Sequence, residues 1–479
     1  MARTSVKRVP SLPTAPCSLG TRHAGRVRRP PVHGQADEST LLNLAGVCFG
    51  MIRQHTNIHV GPLPLSERTP YHHVYHPSTC TQPVEIYLGI LSWVMATART
   101  FVGSPLVSRA KDVHEMFISG SLTLVNPLPA PTLRSAAQNA WLSLRFDVPE
   151  LEVSAVSGQD NRAYMHYQTP KTSDEANAWP ERTAMFEHGK ESLDSESLRE
   201  NILLKKGENN DPAFLLVYSK LTGDEVVTDF HVMLNLDHQI TDGIGARILL
   251  GKYLSLLVSS LLKTRVFSSD DWKHSGENLS PPWISILNQD QVTSGPEYGE
   301  TVAWNKKVLL ERMKTNPGLP LLPNPKTPSV QKTKHITLSS STTTLLLQRI
   351  KTDISPTSNI THFAHASLVL ALLRSQPPST YTTVPETFYS SCWLNGRRYL
   401  NHQRLEKNYV PICMSFSPII FHDLQNLVLE KNAGKEEVKR KLVESTRIAS
   451  GGYEKLKARK SVLPEFVALA EDLGRKMLL

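Results

Sequence analysis

Residues 214–257 commit the chain to one local course, and that course limits the folds open to the rest. Phe214–Ser219 (FLLVYS) reads as a strand, Leu221-Thr222-Gly223-Asp224 supplies turn chemistry, and Val226–Leu236 reads as the return strand. By period-two alternation Phe230, Val232, Leu234, Leu236 and His238 share one face of that return strand. Ile244–Leu257 then reads as a helix with Leu250, Leu254 and Leu257 on one side. Strand and helix are joined by His238-Gln239-Ile240-Thr241-Asp242-Gly243. This H-x-x-x-D-G string puts an imidazole at the end of a buried strand and an aspartate at a helix entrance. A purely structural alternative is a histidine closing a strand beside an Asp that N-caps the helix.

Elements of both kinds flank this unit. Met116–Val125 alternates as a strand does, Thr132–Arg145 has apolar residues at helical spacing, and Leu151–Val156 reads as another short strand. Residues 157–210 are polar and irregular; loops are expected there, with one short helix near Glu196–Leu203. Residues 264–300 read as lid-like loops anchored by Trp272 and Trp283. Five prolines between Asn316 and Ser329 form an extended crossover that resists helix and sheet. Beyond it come a strand at His335–Ser339, helices at Thr342–Thr352 and Ile360–Arg374, a buried strand at Val410–Phe421, and charge-patterned helices to the end. The expected organisation is a basic tail over 1–40, a first domain over 41–310, a linker over 311–333 and a second domain over 334–479.

Charge narrows the function classes once it is located. The net charge is +9, but the seven basic residues Arg3, Lys7, Arg8, Arg22, Arg26, Arg28 and Arg29 precede the first acid, Asp37, and leave only +2 for the rest. The body therefore carries no electrostatic footprint for nucleic acid. The tail reads as an unpacked extension. The most apolar window, Ile86–Val102, is broken by Arg99 and is short of a membrane span. Five scattered cysteines (Cys17, Cys48, Cys80, Cys392 and Cys413) fit reduced thiols in a cytoplasmic protein, read here as a monomer with no membrane partner.

The chemistry of the motif points to proton transfer. An imidazole titrating near neutral pH can accept a proton from an alcohol or amine, and that acceptor can then attack a thioester directly. Asp242 at i+4 reads as an orienting residue held by an arginine, and Gly243 as a place where backbone passes close to its surroundings. Other constellations are weaker. His55, His59, His72, His73 and His76 lack the carboxylate or cysteine partners of a metal site, so no metal is expected. His231 falls on the strand face opposite His238 and reads as structural. His362 and His365 sit in an apolar helix, where packing is the default. No phosphate loop, G-x-S-x-G elbow or dinucleotide fingerprint occurs.

With these residues in place, the chain resembles the CoA-dependent acyltransferase superfamily: chloramphenicol acetyltransferase, the plant BAHD enzymes and peptide-synthetase condensation domains. Within it the likeness is to fungal acetyltransferases of secondary metabolism, of the trichothecene 15-O-acetyltransferase kind. It covers roughly residues 110–460 and rests on His238–Gly243, LRFDVPELEV, NITHFAHASLVLALL and Asn395-Gly396-Arg397-Arg398. The resemblance implies an α/β fold of two similar chloramphenicol-acetyltransferase-like domains with a channel between them. It implies His238 as general base, Asp242 as an ion-paired support, and Arg397 or Arg398 as the partner. Acyl-CoA, here acetyl-CoA, would be a co-substrate with no cofactor bound, and a hydroxylated small molecule would be the acceptor. The chain departs from the BAHD pattern late: no tryptophan follows Trp393, and Asp472-Leu473-Gly474 is not the D-F-G-W-G motif. Relatives add strands where this sequence ends in helix. A truncated relative that binds ligand without turnover, or a free-standing amide-forming condensation enzyme, are therefore the alternatives.

Overall fold

The alternation FLLVY in residues 214–218 sends side chains to both faces of a strand, and both faces are buried. In the computed structural model Phe214, Leu216 and Tyr218 pack with Met233, Leu198 and Ile202, while Leu215 and Val217 enter a larger cluster on the other face. The structure describes residues 115–157, 163–189, 193–207, 209–222, 225–263, 272–312, 316–318, 338–380, 385–401 and 409–477. The basic tail, the Ile86–Val102 run, His55–His76, Cys17, Cys48, Cys80 and most of the proline-rich crossover lie outside them.

The first half runs β1 (Glu115–Pro129), α1 (Ala130–Asp147), β2 (Ser154–Ser157), β3 (Ala163–His166), α2 (Ser173–Thr183), β4 (Ala184–Gly189), α3 (Ser195–Lys206), β5 (Ala213–Thr222), β6 (Val226–Asp237) and α4 (Gly243–Leu261). Its main sheet has the order β1-β6-β5-β4; β6 is antiparallel to β1 and β5, and β4 is parallel to β5. β2 and β3 form a separate antiparallel pair. The first core lies between the sheet and two helices: Leu133, Ala137, Trp141 and Leu144 of α1, and Leu249, Leu250, Tyr253 and Leu257 of α4. α4 is also long and apolar enough to cross a membrane, but its inward face is committed to this core.

Three differences from the sequence reading have local causes. Leu151–Val156 is a 3₁₀ turn over Pro149–Glu152 followed by the four-residue β2, because Pro149 supplies the fixed φ that opens a turn. The polar stretch 157–210 contains β3, α2 and β4 as well as the expected α3. α2 is nucleated by its cap, with the Thr172 side chain accepting from the Glu175 amide, and it buries Trp179 flat against Trp141 at 4.9 Å between ring centroids. A single large aromatic on a polar helix leaves little periodicity to read. The third difference is a strand in the second half, β7, in a segment that the sequence reading leaves without an element.

That half comprises α5 (Pro296–Lys307), α6 (Ser340–Arg349), α7 (Ile360–Ser375), β7 (Phe388–Asn395), β8 (Met414–Phe421), α8 (Lys435–Ala458) and α9 (Val462–Met477). β7 and β8 pair antiparallel from Phe388↔Phe421 to Asn395↔Met414. Val369, Leu370 and Leu373 of α7 and Ala449 of α8 join Ile419 and Phe421 in a second core.

The loops expected over 264–300 are anchored at Trp272 and Trp283, both buried. Trp283 and Ile286 are buried in the second core, and backbone bonds tie residues 280–292 down: Asn288 N to Tyr399 O at 2.9 Å, Asn401 N to Ile286 O at 2.7 Å and Val292 N to Lys460 O at 3.0 Å. α5 follows suit, with Tyr298 Oη donating to Pro464 O at 3.1 Å and Asn305 Nδ2 to Glu465 Oε2 at 3.1 Å. By packing, then, residues 283–308 go with the second core, ahead of the proline-rich stretch at 311–333.

Candidate active site

The backbone leaves β6 one residue before the histidine. Asp237 is the last strand residue; its Oδ1 accepts from Gln239 N at 2.8 Å and its carbonyl from Ile240 N at 3.1 Å, so residues 238–240 turn. The turn lifts His238 off the ladder and leaves it 9% exposed. Its Nδ1 is buried with no hydrogen-bond partner among the described residues. A neutral imidazole has one donor and one acceptor nitrogen, and His238 leaves Nδ1 unspent.

Asp242 is the opposite: every part of its carboxylate is used. Oδ1 accepts from Ile244 N at 3.0 Å and Gly245 N at 2.9 Å, which N-caps α4. Arg397 Nη1 lies 2.9 Å from both Oδ1 and Oδ2, and Cys413 N donates to Oδ2 at 2.9 Å. The Asp242–Arg397 pair is buried and joins the two halves. Of the two candidate arginines, then, Arg397 is the partner. Arg398 is exposed and stacks its guanidinium on Tyr399, 4.6 Å from the ring centroid.

Arg397 is fixed from its other side by carbonyls the sequence reading did not single out. Its Nε donates to Tyr409 O at 2.6 Å, and its Nη2 to Val410 O at 3.2 Å and Pro411 O at 2.8 Å. Thr241, fully buried inside the motif, donates its hydroxyl to the same Val410 carbonyl at 2.7 Å. Val410 itself packs in the first core. The 409–413 segment is thus clamped between a guanidinium, a hydroxyl and an apolar wall. Burial pushes the Cys413 thiol up to about 12, so it stays protonated at neutral pH and contributes through its amide.

The close approach expected at Gly243 occurs at Gly245. A Cβ on Gly243 would meet nothing within 4 Å, whereas one on Gly245 would come closer than 3.0 Å to Thr241 Oγ1 and Val410 O. Glycine-to-alanine changes in compatible helical positions stabilise by about 0.4–1 kcal/mol. Gly243→Ala should follow that rule or be neutral; Gly245→Ala should reverse it and destabilise by about 1–3 kcal/mol through overpacking. Denaturant unfolding of both variants checks this, and equal shifts of the same sign would refute the assignment.

His362 and His365 do not join this site. His365 Nε2 contacts Ser390 Oγ at 2.5 Å and its Nδ1 faces Tyr453 Oη at 3.3 Å, while His362 stacks on Tyr453. Ser390 lies five residues along β7 from Asn395, roughly 16 Å at about 3.3 Å per residue. Burial lowers the His365 pKa to about 4, which keeps its ring neutral in the second core. His231 bonds Ser121 Oγ at 2.8 Å across the β1–β6 ladder, away from the motif.

The geometry can now be compared with known proteins. The model of the family described as 15-O-acetyltransferase Tri3 matches residues 115–469. The chain belongs to this family. His238, Asp242, Arg397 and the 409–413 segment all fall within the matched range. Tri3-family relatives include the trichothecene 15-O-acetyltransferase TRI3 of Fusarium sporotrichioides, 24% identical over 71% of this chain and 67% of that one. The putative 15-O-acetyltransferase SAT12 of Stachybotrys chartarum is 26% identical over 58% of this chain and 50% of the relative. The trichothecene O-acetyltransferase TRI3 of Trichoderma arundinaceum is 25% identical over 64% and 60%. The chain thus spans between half and two thirds of the curated relatives it matches. Among solved structures, that of the Fusarium sporotrichioides TRI3 enzyme superposes with a TM-score of 0.66 at 18% identity, covering 83% of this chain and 77% of the other. The first condensation domain of the calcium-dependent antibiotic synthetase gives 0.50 at 14% identity over 84% and 78%. These likenesses establish the α/β fold.

Proposed function

We propose that this Tri3-family protein transfers the acetyl group of acetyl-CoA to a hydroxyl of a trichothecene or a similarly hydroxylated secondary metabolite, with His238 as general base. One observation supports the reading: the motif histidine stands four residues before Asp242, whose carboxylate pairs with Arg397 of the second half, and its Nδ1 is buried without a hydrogen-bond partner among the described residues. The names of the relatives support the acceptor class.

The proposed reaction runs as follows. A His238 ring nitrogen takes the proton of the acceptor hydroxyl as the oxygen attacks the thioester carbonyl carbon. The C–O bond forms and the carbonyl π pair moves to oxygen. Collapse of that intermediate breaks the C–S bond, and the CoA thiolate recovers a proton from the imidazolium. Products are the acetate ester and free CoA, and the enzyme returns to its starting state. Asp242 takes no proton; it holds the turn by capping α4 and pairing with Arg397.

The test is thiol release from acetyl-CoA against a panel of trichothecenes with single free hydroxyls, with the product identified by mass. Acceptor-dependent thiol release with a matching gain of one acetyl group is the expected result. CoA binding without acceptor-dependent thiol release would favour a ligand-binding relative instead.

A further inference from the structure

We propose that Glu150 is a positioning residue: its carboxyl anchors the 280–292 strap to the first half and, through Tyr409, sets the placement of Arg397 against Asp242. The inference rests on the acetyl-transfer reading only for its kinetic readout.

The contacts form one unbroken path. Glu150 is 9% exposed, and its Oε1 accepts the Ser280 amide at 2.7 Å. The neighbouring Asn278 Nδ2 donates to Phe146 O at 2.8 Å, so residues 278–280 are fastened to the end of α1. Pro281 O accepts the Tyr409 hydroxyl at 3.1 Å. Tyr409 O accepts Arg397 Nε at 2.6 Å, and Arg397 pairs with Asp242. Beyond Pro281 the strap enters the second core at Trp283 and Ile286. One buried carboxyl thus stands at the point where the first half holds the strap that the second half packs around.

The state of that carboxyl follows from its surroundings. Oε2 is buried with no hydrogen-bond partner among the described residues. Burial raises the Glu150 pKa, which favours the neutral acid. The anchor works through shape and the acceptor at Oε1, and an amide has both. Glu150→Gln should therefore replace it with little loss, whereas a residue acting as an ionised catalytic carboxylate would not survive that change. Glu150→Ala instead leaves the half-buried Ser280 N–H without its acceptor, the costly half of a broken hydrogen bond.

The experiment is hydrogen–deuterium exchange on the full-length chain, paired with steady-state kinetics. Glu150→Ala should speed amide exchange at least about tenfold in residues 280–292 and 409–413, leave β5 and β6 unchanged, and lower kcat/KM about tenfold or more. Misplacement of a supporting group acts on this scale. Glu150→Gln should match wild type in both readouts. Tyr409→Phe removes only the hydroxyl to Pro281 and should loosen the same two segments, which gives an independent reading if Glu150→Ala fails to fold. Unchanged exchange at 280–292 in Glu150→Ala or Tyr409→Phe would overturn the proposal, as would a Glu150→Gln variant as impaired as Glu150→Ala. Exchange is read without substrate, so a wild-type protein inactive toward acetyl-CoA would refute the proposed function and leave this inference standing.

Discussion

His238→Ala is expected to lower kcat by about 10²–10⁴, the usual worth of a general base, while shifting the melting temperature by less than about 4 °C. Both expectations come from one geometric fact. The imidazole makes no bond that the fold depends on: its Nδ1 has no partner among the described residues, and its backbone is set by Asp237 and the 238–240 turn. Removing Nδ1 leaves no partner stranded, so the structural cost of losing the ring is that of a modest void. A base acting only in the transition state should reduce kcat and kcat/KM together and leave KM nearly unchanged. Steady-state kinetics with acetyl-CoA and the best acceptor, alongside thermal unfolding, separates the cases. A residual rate within about tenfold of wild type would remove His238 from the role of base. A collapse in stability comparable to that expected for Asp242 variants would mean that the lost rate reports lost structure.

How far the site could be read from sequence depends on which interactions are local. The hairpin, the turn and α4 are contiguous, and alternation plus apolar spacing locate His238 and Asp242 without any knowledge of the second half. The expected ion pair spans 155 positions, from Asp242 to Arg397; the resemblance supplied two adjacent arginines, and only three-dimensional packing separates them. Arg397 faces Asp242 and three carbonyls, while Arg398 lies on Tyr399 in solvent. What stayed illegible was carried by backbone atoms. The Val410 carbonyl, the Cys413 amide and the missing Cβ of Gly245 do their work regardless of side-chain type, so VPIC reads only as apolar strand. Glu150 was hidden for another reason: within LRFDVPELEV a glutamate after proline looks like an ordinary solvent-facing turn residue, and its burial depends on a strap 130 residues away. Polar segments such as 157–210 were misread because their elements are fixed by single caps and single aromatics such as Trp179, which leave no period to count.

Asp242→Ala and Arg397→Ala should each destabilise the fold by about 3–5 kcal/mol, the cost of leaving one member of a buried ion pair uncompensated. Without Asp242, the Arg397 guanidinium stays buried, the amides of Ile244, Gly245 and Cys413 lose their acceptor, and α4 loses its cap, itself worth about 1 kcal/mol. Without Arg397, the carboxylate keeps those three amides, but the carbonyls of Tyr409 and Pro411 lose their donor and that of Val410 keeps only the Thr241 hydroxyl. The double variant strands no charge, so its cost should fall short of the sum of the singles by more than the ~0.5 kcal/mol scatter expected of independent sites. Denaturant midpoints of the four proteins test this, and strict additivity would show that the pair is not the element joining the halves. Asp242→Asn separates support from catalysis. The amide oxygen can still cap Ile244 and Gly245, but its NH₂ must face donors on Arg397 or Cys413, so stability should fall in step with activity. An Asp242→Asn protein with wild-type stability and a kcat as low as that of His238→Ala would instead put Asp242 in the chemistry.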